Sequence, residues 1–507
     1  MLRTLTTLLL AFALAHTATA ADFTPSAPPG PYRVGFHVRQ QYDRARVYQH
    51  PRNPVTAQAT SGDRSRPLQT LVWYPAIGTG GALTYRDYVT TVATEEEFSR
   101  MPDQVRRATD ALVETRSPQV QRDMQDTMRA LRDAPERPGK FPVVIYAPSH
   151  SAYAIENVDL CEYLASHGYI VIATPSLGPR SHAMTAELEA AEAQADDIGF
   201  LVGYAQTLAQ ADANRIAVVG HSWGSLASVL AAARDDRIRA LVTLDGSLRA
   251  AYDYVNGGPR AARYVTPERL GIPLLYMTRL QDEGAIGSEL LAHMRYADIY
   301  LATLDAASHM DFSSWSLRMA PDAAFGTRTR TQSAQAYGAM ARMVERFLDA
   351  RLRNDAPARR QLDDALAANR PPPGFISFAV HRATGAPPTL DTFLEQLGQQ
   401  GFDHIAAIYD RLHAQNPDLA LDPLQAHDWG MKLLRERRAA DAIQVFRLGV
   451  KLYPERFDFL YDGLGQAYEA AGERDAAIAT YRQALALEPG QAHARERLGA
   501  LGVAVAQ

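Results

Sequence analysis

The sequence predicts an α/β fold with a mainly parallel sheet, followed by an all-helical C-terminal domain. Short continuous apolar runs, such as those at residues 142–147 and 169–173, alternate with helical patterns. Strands of this kind are typical of a parallel sheet that is covered by helices on both faces. Towards the C-terminus the pattern becomes helical only, and Pro454 and Pro489 close two similar segments 35 residues apart. A period of this length indicates stacked helical repeats.

Length and composition limit the possible classes of protein. The chain has 507 residues, 47% hydrophobic and 21% charged, with a formal net charge of −5. At roughly 100–200 residues per domain, this length predicts two or three domains. Long blocks of like charge are missing from the sequence, so we expect no nucleic-acid partner. We also expect no cofactor and no metal, because the sequence has neither a nucleotide-binding loop nor a metal-ligand cluster.

The N-terminus has the features of an export signal. Arg3 supplies a positive charge, residues 8–15 form a short apolar run, and residues 18–20 are small. This order predicts a signal peptide over 1–20 that is cleaved after Ala20, and therefore a periplasmic or secreted protein. No later run has 18 consecutive apolar residues, so no transmembrane segment is predicted.

Residues 21–369 are predicted to form the α/β domain. Residues 21–70 are expected to be mostly irregular, and a helical insertion is predicted at about 85–132, either as a lid or as a solvated layer. The chemistry is expected in loops at the carboxyl ends of the strands. The strands are predicted at 71–75, 142–147, 169–173, 215–219, 238–244, 273–277 and 298–304, and the main helices at 184–210, 225–233 and 331–352.

Proline-rich sequence separates this domain from the helical one. Three prolines at 371–373 and two at 387–388 predict a linker over 370–390. In the following region, 391–507, aromatic, Leu, Gly and Ala positions recur in order in two units, and Leu498 begins a shorter third one. This pattern resembles the tetratricopeptide repeat, with an unrelated helical hairpin as the alternative.

Residues 220–224 contain the candidate nucleophile. They read Gly-His-Ser-Trp-Gly, between an apolar strand pattern and an apolar helix pattern. In this context a G-x-S-x-G sequence indicates a sharp turn that lifts the serine above the sheet. Ser222 is therefore predicted to be the nucleophile, and the backbone N–H of Trp223 to be the first donor to the oxyanion.

A serine nucleophile needs a base and an acid in neighbouring loops. His309 follows the last predicted strand and is the expected base. Asp245 and Asp282 each follow a strand at the correct edge, so strand position leaves two candidates for the acid. The histidines that compete with His309 are His150, His167, His221 and His293.

The second oxyanion donor is expected in the loop after residue 147. Pro148 has no N–H, which leaves the N–H groups of Ser149, His150 and Ser151. The side chain of His150 is expected to line the wall of the site rather than to polarise the substrate.

Residues 70–350 resemble the platelet-activating-factor acetylhydrolase group of α/β-hydrolases, which is related to the dienelactone hydrolases. The matching sequences lie at 71–75, 164–171, 220–224 and 308–312, together with the aspartate at the end of the strand 238–244. The resemblance implies an α/β-hydrolase fold, assigns the acid to Asp245, and implies hydrolysis of short or oxidised acyl esters. The usual His-Gly pair of the oxyanion loop is replaced by Pro148-Ser149.

The sequence thus predicts an exported serine hydrolase that cleaves carboxylic esters of short-chain or lipid-like acids. The alternative is an interaction protein in which the repeats bind a protein partner and the hydrolase domain is a platform. The intact nucleophile, base and acid favour the enzyme.

Overall fold

A computed structural model describes residues 27–52, 57–60, 62–248, 251–256, 258–262, 270–279, 293–305, 307–416 and 419–504. The predicted signal peptide lies outside the described residues. The chain divides into two compact units between Thr384 and Gly385.

Eleven strands of the described residues in the first unit form one sheet, in the order β11-β10-β9-β8-β7-β5-β6-β2-β1-β4-β3. The strands are β1 (Arg33–Val47), β2 (Ser65–Ala76), β3 (Gly81–Thr84), β4 (Thr127–Arg132), β5 (Phe141–Ala147), β6 (Ile170–Ala173), β7 (Ala211–His221), β8 (Ile238–Leu244), β9 (Leu274–Arg279), β10 (Ile299–Leu304) and β11 (Phe375–His381).

The six strands from β6 to β10 in this order are mutually parallel, whereas β2 and β11 run antiparallel to the strands beside them. Side chains of β5 alternate between the two faces, with Val144 in the core on one face and Val143 in the core on the other. The carboxyl ends of β5, β7, β8 and β10 therefore meet at one edge, where the predicted site residues follow them.

Helices cover both faces of the sheet. The described α-helices of this unit are α1 (Tyr85–Val92), α2 (Pro102–Val113), α3 (Pro118–Asp123), α4 (Val158–Ser166), α5 (Leu188–Ala205), α6 (Trp223–Ala232), α7 (Ser314–Met319), α8 (Arg330–Leu352) and α9 (Ala356–Ala367). Buried side chains of α4 and α8 belong to the core of one face, and those of α5 and α6 to the core of the other. This arrangement confirms the predicted fold class.

The region before residue 132 differs from its prediction in two places. Residues 33–47 and 65–76 pair as long antiparallel strands, so the expectation of a mostly irregular segment over 21–70 is wrong there. The insertion at 85–132 is helical only as far as Asp123, because β4 pairs with β1 and β3. Its helices belong to the packed layer on one face, where Tyr88 is fully buried.

The predicted linker over 370–390 is also wrong in part. Residues 375–381 form β11, the edge strand that pairs antiparallel with β10. Phe375 and Phe378 are three residues apart, and the register shift between Phe375 and Ser377 allows both rings to be buried against the same core of the sheet. The boundary between the units consequently lies at residue 384, beyond the first proline-rich run.

The second unit is helical. Its described α-helices are α10 (Leu390–Gln400), α11 (Ile405–Gln415), α12 (Pro423–Arg435), α13 (Ala439–Leu452), α14 (Asp458–Ala470), α15 (Arg474–Leu487) and α16 (Ala492–Ala500). Small residues allow close packing between consecutive helices. A Cβ added at Gly465 would lie 2.5 Å from the ring of Tyr481, so a glycine is needed where α14 meets α15. In the described part of the chain, no helix is both long enough and apolar enough to cross a membrane.

Candidate active site

Ser222 lies in a strained turn between β7 and α6. Its backbone has φ 51° and ψ −115°, a conformation that costs a non-glycine residue about 1–3 kcal/mol and is concentrated at functional sites. The turn is close to the end of β5, because a Cβ on Gly224 would lie only 2.1 Å from the carbonyl oxygen of Ala147. This close approach explains the second glycine of the Gly-x-Ser-x-Gly sequence.

The turn is tied to the loop that carries Asp245. The N–H of Ser222 donates to the carbonyl of Leu244 at 3.0 Å, and the N–H of Ser247 donates to the carbonyl of Ser222, also at 3.0 Å. Asp245 itself has φ 43°. The candidate nucleophile and the candidate acid are therefore held by the same pair of backbone hydrogen bonds.

His309 and Asp245 are in direct contact. His309 begins a short 3-10 helix after β10, and its Nδ1 lies 2.5 Å from Asp245 Oδ2. At this distance the imidazole N–H donates to the carboxylate in a strong, charge-assisted hydrogen bond. The Asp245 side chain is only 5% exposed, whereas that of His309 is 44% exposed, as expected of a base that meets substrate. Arg279 Nε lies 3.5 Å from the same carboxylate oxygen.

The segment after His309 is held by a buried ion pair. Asp311 caps the 3-10 helix by accepting the N–H of Ser308 at 2.6 Å, and Arg328 bonds to the carboxylate of Asp311 and to the hydroxyl of Ser308. These bonds fix the backbone from which the His309 side chain projects.

Two of the three candidate N–H groups in the oxyanion loop already have partners. The N–H of Ser149 donates to Glu156 Oε2 at 2.9 Å, and the N–H of Ser151 points to the sulfur of Met184 at 3.3 Å. The inclusion of Ser149 among the oxyanion donors is therefore wrong. Of the three, the N–H of His150 has no backbone partner in the described part of the chain. The His150 ring packs edge-on against Trp223, with centroids 5.8 Å apart.

Two family models match parts of the chain. The chlorophyllase family model matches residues 109–267, a range that includes Ser222 and Asp245, and a tetratricopeptide repeat model matches residues 458–501. The chain is an α/β-hydrolase with C-terminal tetratricopeptide repeats. The predicted carboxylic ester hydrolase and the predicted repeats are both confirmed at this level.

Solved structures similar to the hydrolase include the ferulic acid esterase from Streptomyces cinnamoneus. The two chains are 19% identical, and the match covers 65% of this chain and 93% of the other with a TM-score of 0.47. Among curated proteins, none matches the sequence significantly.

The competing residues of the hydrolase lie in different surroundings. His167 is at the end of α4, where its Nε2 lies 3.4 Å from Glu345. His221 is buried beneath the turn, and its ring packs against His309 with centroids 4.9 Å apart. His293 is exposed. Asp282, the alternative acid, lies outside the described residues.

Glu156 is the residue that the sequence did not indicate. It lies before α4, is 5% exposed, and accepts hydrogen bonds from the oxyanion loop and from Tyr146. Burial alone would raise the pKa of Glu156, but the nearby imidazole of His221 and the bonds from Ser149 and Tyr146 outweigh burial and hold that pKa below its usual value. The sequence gives little indication of a role for Glu156, because a single glutamate in a loop belongs to no motif.

Possible metal ligands do not cluster in the described part of the hydrolase. There, no group of three His, Cys, Asp or Glu side chains is placed to hold a metal ion. Cys161 is buried in α4 and its pKa is raised well above the usual value, first by burial and then by the charge of Glu162.

Proposed function

We propose that the protein is an exported serine hydrolase that cleaves carboxylic esters through Ser222, His309 and Asp245. The observation that carries the proposal is the 2.5 Å contact between His309 and a buried Asp245, beside a serine in a strained turn. A base that is oriented by a buried carboxylate next to a serine is the arrangement that activates a hydroxyl nucleophile.

The reaction follows in two steps. His309 takes the Ser222 hydroxyl proton as the oxygen attacks the ester carbonyl, and the N–H groups of Trp223 and His150 stabilise the oxyanion. Collapse of this intermediate breaks the bond to the alcohol, which leaves with the proton from His309. A water molecule then gives a proton to His309 and attacks the acyl-enzyme, which releases the acid and regenerates the serine. Asp245 stabilises the imidazolium in both steps.

The proposed substrates are short-chain or lipid-like acyl esters. The match to a family named chlorophyllase supports an ester of a hydrophobic molecule, and the resemblance to the platelet-activating-factor acetylhydrolase group supports a short or lipid-like acyl chain. The aromatic rings of His150 and Trp223 beside the turn suit an apolar acyl group.

Hydrolysis of p-nitrophenyl esters from acetate to palmitate tests the proposal. Wild type is expected to show an optimum chain length, and Ser222→Ala is expected to lose activity and labelling by a fluorophosphonate. Ser228→Ala is a matched control, because the Ser228 hydroxyl only donates to the carbonyl of Gly224 within α6, at 2.6 Å. Absence of both turnover and labelling in wild type would overturn the esterase proposal and favour the alternative, an interaction protein whose repeats bind a partner.

Export is the remaining part of the proposal. The pattern of residues 1–20 supports removal of a signal peptide after Ala20. Mass spectrometry of protein from the periplasm or medium is expected to find an N-terminus at Ala21. Full-length protein confined to the cytoplasm would contradict this part alone.

The match to a tetratricopeptide repeat supports a protein partner for the second unit, in addition to ester hydrolysis. Such repeats present an extended surface to other proteins. Wild type and Ser222→Ala are both expected to co-purify with a defined protein partner from the same compartment.

A further inference from the structure

The carboxylate of Glu156 joins the oxyanion loop to the nucleophile turn. Its Oε2 accepts the N–H of Ser149 at 2.9 Å and the hydroxyl of Tyr146 at 2.7 Å. Its Oε1 accepts the hydroxyl of Ser149 and lies 3.2 Å from Nδ1 of His221, without the alignment of a hydrogen bond. His221 directly precedes the candidate nucleophile. One buried side chain therefore contacts two of the loops that carry the chemistry.

The third loop, which follows His309, is held by the backbone of Glu156 and by its neighbour. The carbonyl of Glu156 accepts the N–H of Trp315 at 2.9 Å. The side chain of Asn157 donates to the carbonyl of Phe312 at 2.8 Å and accepts the N–H of Ser314 at 3.1 Å. Glu156 and Asn157 are thus a junction between the oxyanion loop, the nucleophile turn and the segment that carries the base.

His221 extends this junction to the base itself. Its ring is 3% exposed and packs against the ring of His309 with centroids 4.9 Å apart and planes 30° apart. A shift of His221 away from Glu156 would consequently change the support on one face of the His309 imidazole. The other support of this ring is its hydrogen bond to Asp245.

We propose that Glu156 is a positioning residue for ester hydrolysis, and that its carboxylate holds the N–H of His150 and the His309 ring in their catalytic places through Ser149 and His221. This inference rests on the proposed function. A carboxylate suits the position because its two oxygens accept all three hydrogen bonds, which come from one N–H and two hydroxyl groups. A glutamine offers one oxygen and would place an NH₂ group against some of these donors.

A purely structural role is the competing explanation, and the chain offers a matched control for it. Glu162 is equally buried, and accepts the hydroxyl of Tyr88 at 2.7 Å and the N–H groups of Arg129 and Ala130 at 2.9 and 3.0 Å. Its donors are of the same kinds, but they come from α1 and β4 rather than from the loops of the site. Burial raises the pKa of Glu162 to about 7, whereas that of Glu156 is held below its usual value. At a pH well above 7 both carboxyl groups are ionised, so Glu156→Gln and Glu162→Gln then make the same chemical change.

Steady-state hydrolysis of a p-nitrophenyl ester by the full-length variants tests the role. Glu156→Gln is expected to lower kcat by about 10²-fold with little change in KM, because a misplacement of about 1 Å costs that much in rate. Its affinity for a phenylboronic acid, which forms a tetrahedral adduct with the serine, is expected to fall with kcat. Glu162→Gln is expected to change neither quantity.

Ser149→Ala provides a second route if Glu156→Gln folds poorly. It removes the hydroxyl bond to Glu156 but keeps the N–H bond, so a smaller loss of kcat is expected. In the double variant, the loss is expected to be smaller than the product of the two single losses, because both changes act on one contact.

The outcomes separate this inference from the proposed function. If wild type neither hydrolyses esters nor reacts with a fluorophosphonate, the proposed function fails and this inference fails with it. If wild type is active and folded Glu156→Gln retains its kcat, or if both glutamine variants lose kcat equally, only the positioning role is overturned. A selective loss of kcat and boronate affinity in Glu156→Gln supports it.

Discussion

Substitution of Gly224 by alanine tests the close approach between the nucleophile turn and the oxyanion loop. The added Cβ would lie 2.1 Å from the carbonyl oxygen of Ala147 and 2.6 Å from that of Pro148. Both oxygens belong to the backbone at the end of β5, so they cannot rotate away as a flexible side chain would. The turn and the loop must therefore separate.

The size of that separation follows from the distances. Ordinary van der Waals contact begins at 3.4 Å, so relief of a 2.1 Å contact requires a movement of about 1 Å. A movement of about 1 Å between a nucleophile and its oxyanion donors lowers a rate by about 10²-fold. Overpacking of this kind also costs about 1–3 kcal/mol of folding free energy. Gly224→Ala is therefore expected to lower kcat by about 10²-fold and the free energy of unfolding by about 1–3 kcal/mol, and to remain folded.

Two measurements on purified protein check this expectation: kcat for a p-nitrophenyl ester, and the free energy of unfolding from urea titration. Gly199→Ala in α5 is the control, because no atom lies within 4 Å of its added Cβ. It is expected to keep wild-type kcat and to gain up to about 1 kcal/mol, since alanine favours a helix over glycine. A Gly224→Ala variant with kcat within about threefold of wild type would refute the reasoning, because the added methyl group would then fit without displacing the loop.

Three further changes test other parts of the chain. Asp245→Asn is expected to lower kcat about 10⁴-fold, as loss of the acid does in a serine protease, whereas Asp282→Asn should remain near wild type in the same ester assay. Burial raises the pKa of Glu95 from 4.5 to about 8. The free energy of unfolding therefore falls by up to about 1.4 kcal/mol per pH unit as pH rises through that interval. Glu95→Gln is expected to reduce this loss in urea unfolding, and a slope equal to that of wild type would contradict the assignment. Gly465→Ala places a methyl group 2.5 Å from an aromatic ring and should lower Tm. Gly398→Ala adds a methyl group with no described neighbour within 4 Å and should raise Tm. Circular dichroism during heating measures both values.

The sequence predicted the central sheet well because its strands are short, apolar and buried on both faces. The strand at 238–244 has the predicted bounds, and the turn at Ser222 lies between a strand and a helix as expected. The outer strands escaped prediction for the opposite reason. In β1 the later positions are partly or fully exposed and carry Arg, Gln and Asp, so their composition resembles that of a loop. Tertiary pairing with β2, rather than local preference, makes them a strand.

The candidate site was predictable to the extent that chain order determines it. Ser222, Asp245 and His309 each follow a central strand, and parallel strands bring such positions to one edge. The choice between Ser149 and His150 was not predictable, because it depends on which N–H a buried carboxylate occupies. That carboxylate, Glu156, lies seven residues after Ser149 and reaches it only in the folded chain.

The strained residues of the site explain why so many contacts converge there. Ser222 and Asp245 both have φ in the left-handed region, 51° and 43°, and each costs about 1–3 kcal/mol in a non-glycine residue. Such conformations persist only where the surroundings determine them from several sides. The backbone bonds that link Ser222 to Leu244 and Ser247 constrain both turns at once. A change that relaxes either turn should therefore alter the backbone geometry of the other turn as well. A substitution near Asp245 is consequently expected to slow the labelling of Ser222 by a fluorophosphonate, even where the contact between Asp245 and His309 is intact.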